Sequence, residues 1–208
     1  MKDIFSYNID IEKNAYMNWR THKHQHIRNM IALAEGFSSS SITLVKQALA
    51  DNHDKKADIL IYPILFNANH AIEVYLKAIS WSLNVLTKTN EQFKLGHSLL
   101  DLLNDVKKLV TVFENDSEKI SYFNTMINPL EKYLDELYSK IETLQSGGKK
   151  RYNIDFSRYT LDFKGEPQFY INEFDNVVID LENFCERFEE IFKQLDSFAM
   201  YYLYLEEE

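Results

Sequence analysis

Apolar residues recur at alternating steps of three and four after Ser117, and no step of the pattern is missed. The positions are Ile120, Phe123, Ile127, Leu130, Leu134, Leu137, Ile141 and Leu144. This spacing is the seam of a helix that lies along another helix. In a chain of 208 residues, the seam predicts an intramolecular bundle core rather than a separate coiled coil. Pro129 lies inside the pattern and should kink or divide this helix.

Glycine and proline are scarce, with five and three residues, which favours long helices over a turn-rich β fold. We therefore predict an all-α helical bundle, and the length fits one domain. Its predicted parts are a helical N-terminal extension over residues 1–54, core helices over 55–145, a long irregular or β-hairpin-like insertion over 146–172 and a C-terminal helix over 173–204.

Caps and breaks predict individual helix ends. We expect a first helix over about Glu12–Ala34 that stops at Gly36, and a short second helix from the serine run to near Asp51. A third should cover about residues 55–86, with Pro63 either kinking it or moving its start to near Tyr62. A fourth should open at the sequence Gly96–His97–Ser98.

The net charge of −9 should repel a polyanion from the molecule as a whole, so RNA could bind only at a local basic patch, and DNA is not expected. A P-loop, a Rossmann glycine motif and a nucleophile elbow are absent from the sequence, which argues against a nucleotide cofactor. We expect no cofactor.

A single cysteine, Cys185, excludes an internal disulfide and a cysteine-based zinc site, and its apolar surroundings in the sequence predict a buried thiol. No apolar run approaches the roughly twenty residues of a membrane span, and the N-terminus lacks the apolar core of a signal peptide. We therefore expect a cytoplasmic protein that does not enter membranes.

Histidines and an arginine near the N-terminus offer two kinds of site. His22 and His26 would share a helix face and could grip a metal, but no third ligand accompanies them, so a solvated face is favoured and no metal is predicted. Five residues lie between Arg20 and His26. This pair suits metal-independent RNA cleavage, with the histidine as general base and the guanidinium on the phosphate, although such a spacing often arises by chance.

A second stripe of polar residues follows the helical rhythm of residues 69–84. It consists of His70, Glu73, Lys77, Ser80 and Asn84. One interpretation is a solvated face with an ordinary ion pair of Glu73 and Lys77. The other is a functional face, because a histidine, an acid and a base are residue types that perform or recognise chemistry. A fold could bring to it His97 and the residues Arg151 and Tyr152.

The order AIEVYLKAI (71–79), GHSLLDLL (96–103), RYN (151–153) and a final amphipathic helix resembles the HEPN superfamily. The resemblance covers about residues 55–204. It implies a bundle of four or more helices that forms homodimers, found in prokaryotic toxin and phage-defence modules. Many members are ribonucleases with an Arg-x4–6-His motif, and in this chain only Arg20 and His26 fit that spacing.

Residue by residue, the resemblance carries over to Glu73, Lys77, His97, Arg151 and Tyr152. His70 of the same polar stripe is a candidate binding residue. Two hypotheses follow. The first is a metal-independent endoribonuclease, with His97 or His26 as base and Arg151 or Arg20 as phosphate clamp. The second is a non-catalytic interaction module that binds a nucleotide or a partner protein such as a nucleotidyltransferase. A structural role is the third interpretation, with Glu73 paired to Arg151 and His97 capping its own helix.

Overall fold

The structure, a computed structural model, describes residues 2–89, 91–144, 150–152, 154–162, 164–172 and 176–207, with the backbone alone for 142–144, 150–152 and 172. Within this part the chain is helical, as predicted. The helices are α1 (His26–Ala50), α2 (Ala57–Leu86), α3 (Leu99–Phe113), α4 (Ser117–Ile141), the single turn α5 (Phe169–Asn172) and α6 (Leu181–Glu207). Two short strands are β1 (Glu142–Leu144) and β2 (Lys150–Tyr152).

Helix α2 is the centre of the bundle and packs against α1, α3 and α6. Its apolar face is completely buried at Ile64, Ile72 and Ile79. By length and composition α2 could also cross a membrane, but more than half of its most apolar stretch is buried inside the fold. Such burial is typical of the core helix of a soluble protein.

The seam predicted for residues 117–144 is confirmed as far as side chains are described. Phe123, Ile127, Leu130, Leu134, Leu137 and Ile141 are all buried, and Ile120 is half-buried. Pro129 lies inside α4 and does not divide it. The last predicted position, Leu144, is in β1 rather than in α4, and its side chain lies outside the described part.

The helix start and the break predicted within the first 54 residues are wrong, whereas the helical end near Asp51 is confirmed. Residues 2–25 hold a 3₁₀ turn (Ile11–Lys13), isolated turns and bends but no α-helix, whereas α1 runs from His26 straight through Gly36 and the serines. The buried positions of α1 follow steps of four and three: Ile27, Ile31, Ala34, Ser38, Ser41, Val45 and Ala48. Two serines are therefore members of the seam, and the Ser41 hydroxyl donates to the Ile64 carbonyl of α2 at 2.9 Å. Packing against α2 outweighs the local signals for a stop.

Substitutions at Gly36 and at Gly96 should have opposite effects on stability. Gly36 lies in mid-helix with nothing within 4 Å of where a Cβ would stand, so Gly36→Ala should raise the free energy of unfolding by about 0.5–1 kcal/mol. Gly96 has a φ of 122°, so Gly96→Ala should lower it by about 1 kcal/mol or more. Urea unfolding measures both, and a destabilising Gly36→Ala would contradict the continuous α1.

Between α4 and α6 the chain forms smaller elements. β1 and β2 pair antiparallel with Thr143 opposite Arg151, and a 3₁₀ turn (Ile154–Ser157) and α5 follow. Residues 146–149, 153 and 163 of the predicted insertion lie outside the described residues.

Helix α6 begins eight residues later than predicted, at Leu181 instead of residue 173. The Asp180 carboxylate accepts from the backbone N–H groups of Glu182 and Asn183 at 3.0 and 3.1 Å and so caps the helix. The prediction counted Val177 and Val178 as part of the helix because they are apolar, but both are exposed. Cys185 is a buried free thiol, as predicted, and burial raises its pKa.

Candidate functional site

The start of α3 holds His97 against the surface of α2. The positive φ of Gly96 turns the chain, and the Ser98 hydroxyl caps α3 by accepting from the Asp101 N–H at 3.3 Å. The hydroxyl of Tyr138 from α4 accepts from the Leu100 N–H at 3.3 Å and braces the same turn. The predicted opening of α3 is thus confirmed, but the capping residue is Ser98 rather than His97.

The carboxylate of Glu73 lies at the centre of a cluster that joins two parts of the sequence. Its Oε1 accepts from Lys77 Nζ at 2.7 Å and from His97 Nδ1 at 2.9 Å. His70 Nδ1 lies 3.8 Å from Oε2, too far for a hydrogen bond but close enough for electrostatic attraction. We call these four residues the Glu73 cluster.

Burial within the cluster is uneven. The side chains of Glu73 and Lys77 are each only 12% exposed, whereas that of His97 is 71% exposed. The ordinary solvated pair considered from the sequence is therefore wrong for Glu73 and Lys77. The structure places a buried ion pair directly beneath an exposed imidazole.

The charge of Glu73 is strongly favoured by its neighbours. Burial alone raises the pKa of this carboxyl, but His70, the Lys77 ammonium and His97 outweigh burial and lower it to about 2. Glu73 is thus ionised throughout the neutral range and acts only as a hydrogen-bond acceptor.

This ionisation decides which nitrogen of His97 carries the proton. Since the carboxylate can only accept, Nδ1 must donate to it, and in the neutral ring Nε2 is then left as the basic nitrogen. A histidine oriented by a carboxylate in this way is the arrangement that general bases use in hydrolases and nucleases.

His70 lies among aromatic rings at the N-terminal side of the cluster. Its ring meets the edge of Phe37 from α1 at 4.4 Å and stacks on Phe66 of α2 at 5.7 Å, both between ring centroids. The other face of the Glu73 cluster is aromatic as well, because Lys77 Nζ lies 5.6 Å from the ring centroid of Phe93.

Arg158 is a cation near this surface that the sequence analysis did not select. Its guanidinium lies 5.6 Å from the centroid of the same Phe66 ring that stacks on His70, and it pairs with Asp155 at 2.8 Å. Its position after a turn of the predicted insertion gave no periodic signal. Arg158 is followed by Tyr159, so the dipeptide Arg-Tyr at 151–152 occurs a second time at 158–159.

The strands carry the two insertion residues chosen from the sequence. Arg151 and Tyr152 are in β2, and their side chains lie outside the described part of the chain, so the predicted pairing of Glu73 with Arg151 is not described.

The remaining stripe residues are buried and paired. Ser80 donates to Asp105 of α3 at 3.0 Å, and Asn84 donates to the Gln92 carbonyl at 3.0 Å.

The N-terminal candidates are arranged differently from the prediction. Arg20, His22 and His24 precede α1, so the helical spacing assumed for His22 and His26 does not exist. Among the described residues no group of three or more potential ligands could hold a metal ion. His26 is the first residue of α1, and its ring stacks on Trp81 of α2 at 6.0 Å.

No protein-family model, no curated protein and no solved structure matches this chain. The chemistry of the site must therefore be argued from its own geometry. Two shallow depressions elsewhere on the surface, along α4 and beside Glu114, include no residue of the Glu73 cluster.

Stability should depend on the ionisation of Glu73 at acid pH. The folded pKa of about 2 lies below the ordinary 4.5, so the stabilisation is complete above the higher value and is lost as the pH falls toward the lower one. We expect protonation of Glu73 to lower the free energy of unfolding by roughly 2–3 kcal/mol between about pH 5 and pH 2.

The measurement is the free energy of unfolding in urea across that range for the wild type and Glu73→Gln. The advantage of the wild type over the variant should shrink as the pH falls. A difference that stays constant from pH 5 to pH 2 would contradict the assignment.

Proposed function

We propose that this protein is a metal-independent endoribonuclease built on a HEPN-type bundle. The observation that carries the proposal is the hydrogen bond from His97 Nδ1 to the buried Glu73 carboxylate, which leaves the other nitrogen of an exposed ring free to act as a base. His97 is preferred to His26 because a carboxylate orients it, whereas the described ring contact of His26 is with Trp81.

In the proposed reaction His97 Nε2 removes the proton from a ribose 2′-hydroxyl. The 2′-oxygen attacks the adjacent phosphorus, the bond from phosphorus to the 5′-oxygen breaks, and the 5′-oxygen takes a proton from an acid in the site. Two groups suit the charge of the phosphate: the Lys77 ammonium and the His70 ring, which is also our candidate for the acid. Glu73 positions the base and stabilises its protonated form.

The setting of this activity follows from the resemblance stated above. We place the protein in a toxin or phage-defence system of the cytoplasm and expect a homodimer. Arg151 and Tyr152 of the RYN sequence, and the Arg20–His26 pair, remain secondary candidates for contacts with the RNA.

The experiment that tests the proposal is incubation of the purified wild type with RNA in EDTA. The chemistry predicts fragments that end in a 2′,3′-cyclic phosphate on one side and a 5′-hydroxyl on the other. An identical strand with 2′-deoxyribose at the cleaved positions lacks the nucleophile and should stay intact. Cleavage of both strands, or of neither, would reject the assignment.

A second candidate function is a non-catalytic interaction module. Residues 2–25 carry large apolar side chains that are strongly exposed, among them Ile4, Phe5, Ile9, Met17 and Trp19. Apolar surface of this kind marks protein interaction sites. This alternative predicts no RNA cleavage and a partner protein that binds the full chain in a fixed ratio but not a chain shortened by residues 2–20.

A further inference from the structure

Aromatic rings and cationic groups alternate along one side of α2, on both sides of the Glu73 cluster. We call them the α2 band. Its members outside the cluster are Arg158, Phe66, Phe93, Trp81 and His26, with the ring of His70 shared between band and cluster.

The contacts in the band are continuous from one end to the other. Arg158 lies over Phe66, and the Phe66 ring stacks on His70, which adjoins Glu73. Beyond Lys77, the Phe93 ring lies 5.6 Å from Trp81, and Trp81 stacks on His26 at 6.0 Å. From Phe66 to Trp81 the band follows about four helical turns, or about 22 Å.

The rings of Phe66, His70, Phe93 and Trp81 are half-buried and that of His26 is exposed. Each ring therefore contacts the fold and still has surface that faces solvent. Residues at 66, 70, 73, 77 and 81 repeat at steps of three and four and therefore share one face of α2. Ordinary core packing explains the buried part of each ring. It does not explain why the side chains of Arg158, His70 and Lys77 lie against these rings.

The three acids that the described contacts place in or beside the band are paired with cations. Glu73 is paired with Lys77 and His97, Asp105 with Lys94, and Asp155 with Arg158. The Arg158–Asp155 pair is exposed on both sides, so it costs little for the guanidinium to exchange its partner for a phosphate. These three carboxylates are thus each matched by a cation, although the chain as a whole has a net charge of −9.

We infer that the α2 band binds an unpaired RNA strand, with bases stacked on its rings and phosphates near its cations. Rings spaced along a groove of positive charge are the usual means of holding single strands, since every base has a stacking face that a duplex conceals. The choice of RNA over DNA rests on the proposed function, because the base at the centre of the band needs a 2′-hydroxyl. The band would place a strand across His97 with nucleotides on either side of the cleaved bond.

The test is fluorescence anisotropy with a labelled single strand of about twelve 2′-O-methyl nucleotides, which the proposed chemistry cannot cleave. The wild type should bind this strand at least about tenfold more tightly than the same sequence in a duplex. Trp81→Ala and Arg158→Ala should each weaken binding about 5- to 100-fold, and Arg158→Ala should also reduce the dependence on salt.

Two variants outside the band are matched controls. Tyr122→Ala removes an exposed ring from α4, and Arg187→Ala removes an arginine of α6 that is paired with Glu136 at 2.8 Å, as Arg158 is with Asp155. Both should bind as the wild type does. Because Trp81 contributes to packing, thermal unfolding accompanies each variant, and the exposed Arg158 provides the test that does not depend on Trp81.

The outcomes separate this inference from the proposed function. Any of three results would overturn the band as an RNA site. They are equal binding of duplex and single strand, unchanged binding by both band variants, and tighter binding of a deoxy strand than of the RNA. A wild type that binds the strand through the band but leaves ordinary RNA intact would overturn the nuclease and leave the band. If the band variants bound and cleaved RNA as well as the wild type does, the band would be overturned as an RNA site and the nuclease would stand.

Discussion

Replacing His97 with alanine should lower the rate of RNA cleavage in EDTA by about 10²–10⁴-fold, the usual contribution of a general base. The loss should appear in kcat, because the imidazole acts on the proton that moves in the transition state. The fold should survive, since the ring is 71% exposed and the turn is held by Gly96 and Ser98.

His26→Ala is the matched control for this loss. It removes an exposed imidazole that stacks on Trp81, so this variant tests kcat and not RNA binding. Its kcat should stay near the wild-type value. If His97→Ala kept full kcat while His26→Ala lost it, the base would be the N-terminal histidine and the dyad with Glu73 would be structural.

Removal of Glu73 alone should be the most destabilising polar substitution in the cluster. Glu73→Leu leaves the Lys77 ammonium, only 12% exposed, without its main partner, and the cost should be about 3 kcal/mol. Against a total stability of about 5–15 kcal/mol for a domain of ordinary size, this is a large fraction.

The double variant Glu73→Leu with Lys77→Met separates stability from function. Replacing both charges by apolar groups of similar size should restore the free energy of unfolding to within about 1 kcal/mol of the wild type. Cleavage should stay slow, with kcat lowered about 10²-fold or more, because His97 has lost the carboxylate that orients it and the phosphate has lost the Lys77 ammonium. Recovery of both stability and cleavage would mean that the ion pair serves the fold alone.

A second ion pair gives the scale for this comparison. Lys107 of α3 and Glu131 of α4 are each about one-third exposed, so Glu131→Gln should cost less than about 1 kcal/mol. If Glu73→Leu lowered the free energy of unfolding no more than Glu131→Gln does, burial of the Glu73–Lys77 pair would have no energetic consequence. The predicted cost of breaking a buried pair would then be refuted.

The elements that could be predicted are those whose signals are local. The seam of α4 is a regular pattern of large apolar residues, and α3 opens where a glycine turn precedes a serine cap. Both are properties of neighbouring residues, so no knowledge of the rest of the fold was needed. The stripe on α2 could be recognised for the same reason.

The errors arose where distant packing outweighed a local signal. Gly36 and the serines favour a break, but a seam of small residues through α1 lies against α2, and Ser41 bonds to the Ile64 carbonyl. Small residues in a seam look like caps in the sequence. Only the partner helix shows that they are core.

For the candidate site, the sequence alone determined the chemical inventory: an acid, a base and a histidine on one face of α2, and a second histidine at the start of α3. The tertiary structure decided that Glu73 and His97, 24 positions apart, share a hydrogen bond, and it brought Arg158 and the ring of Phe93 to the same side. Helical periodicity specifies which face of its own helix a residue occupies. Which residues from elsewhere meet that face depends on how the helices pack, and that is decided by the core as a whole.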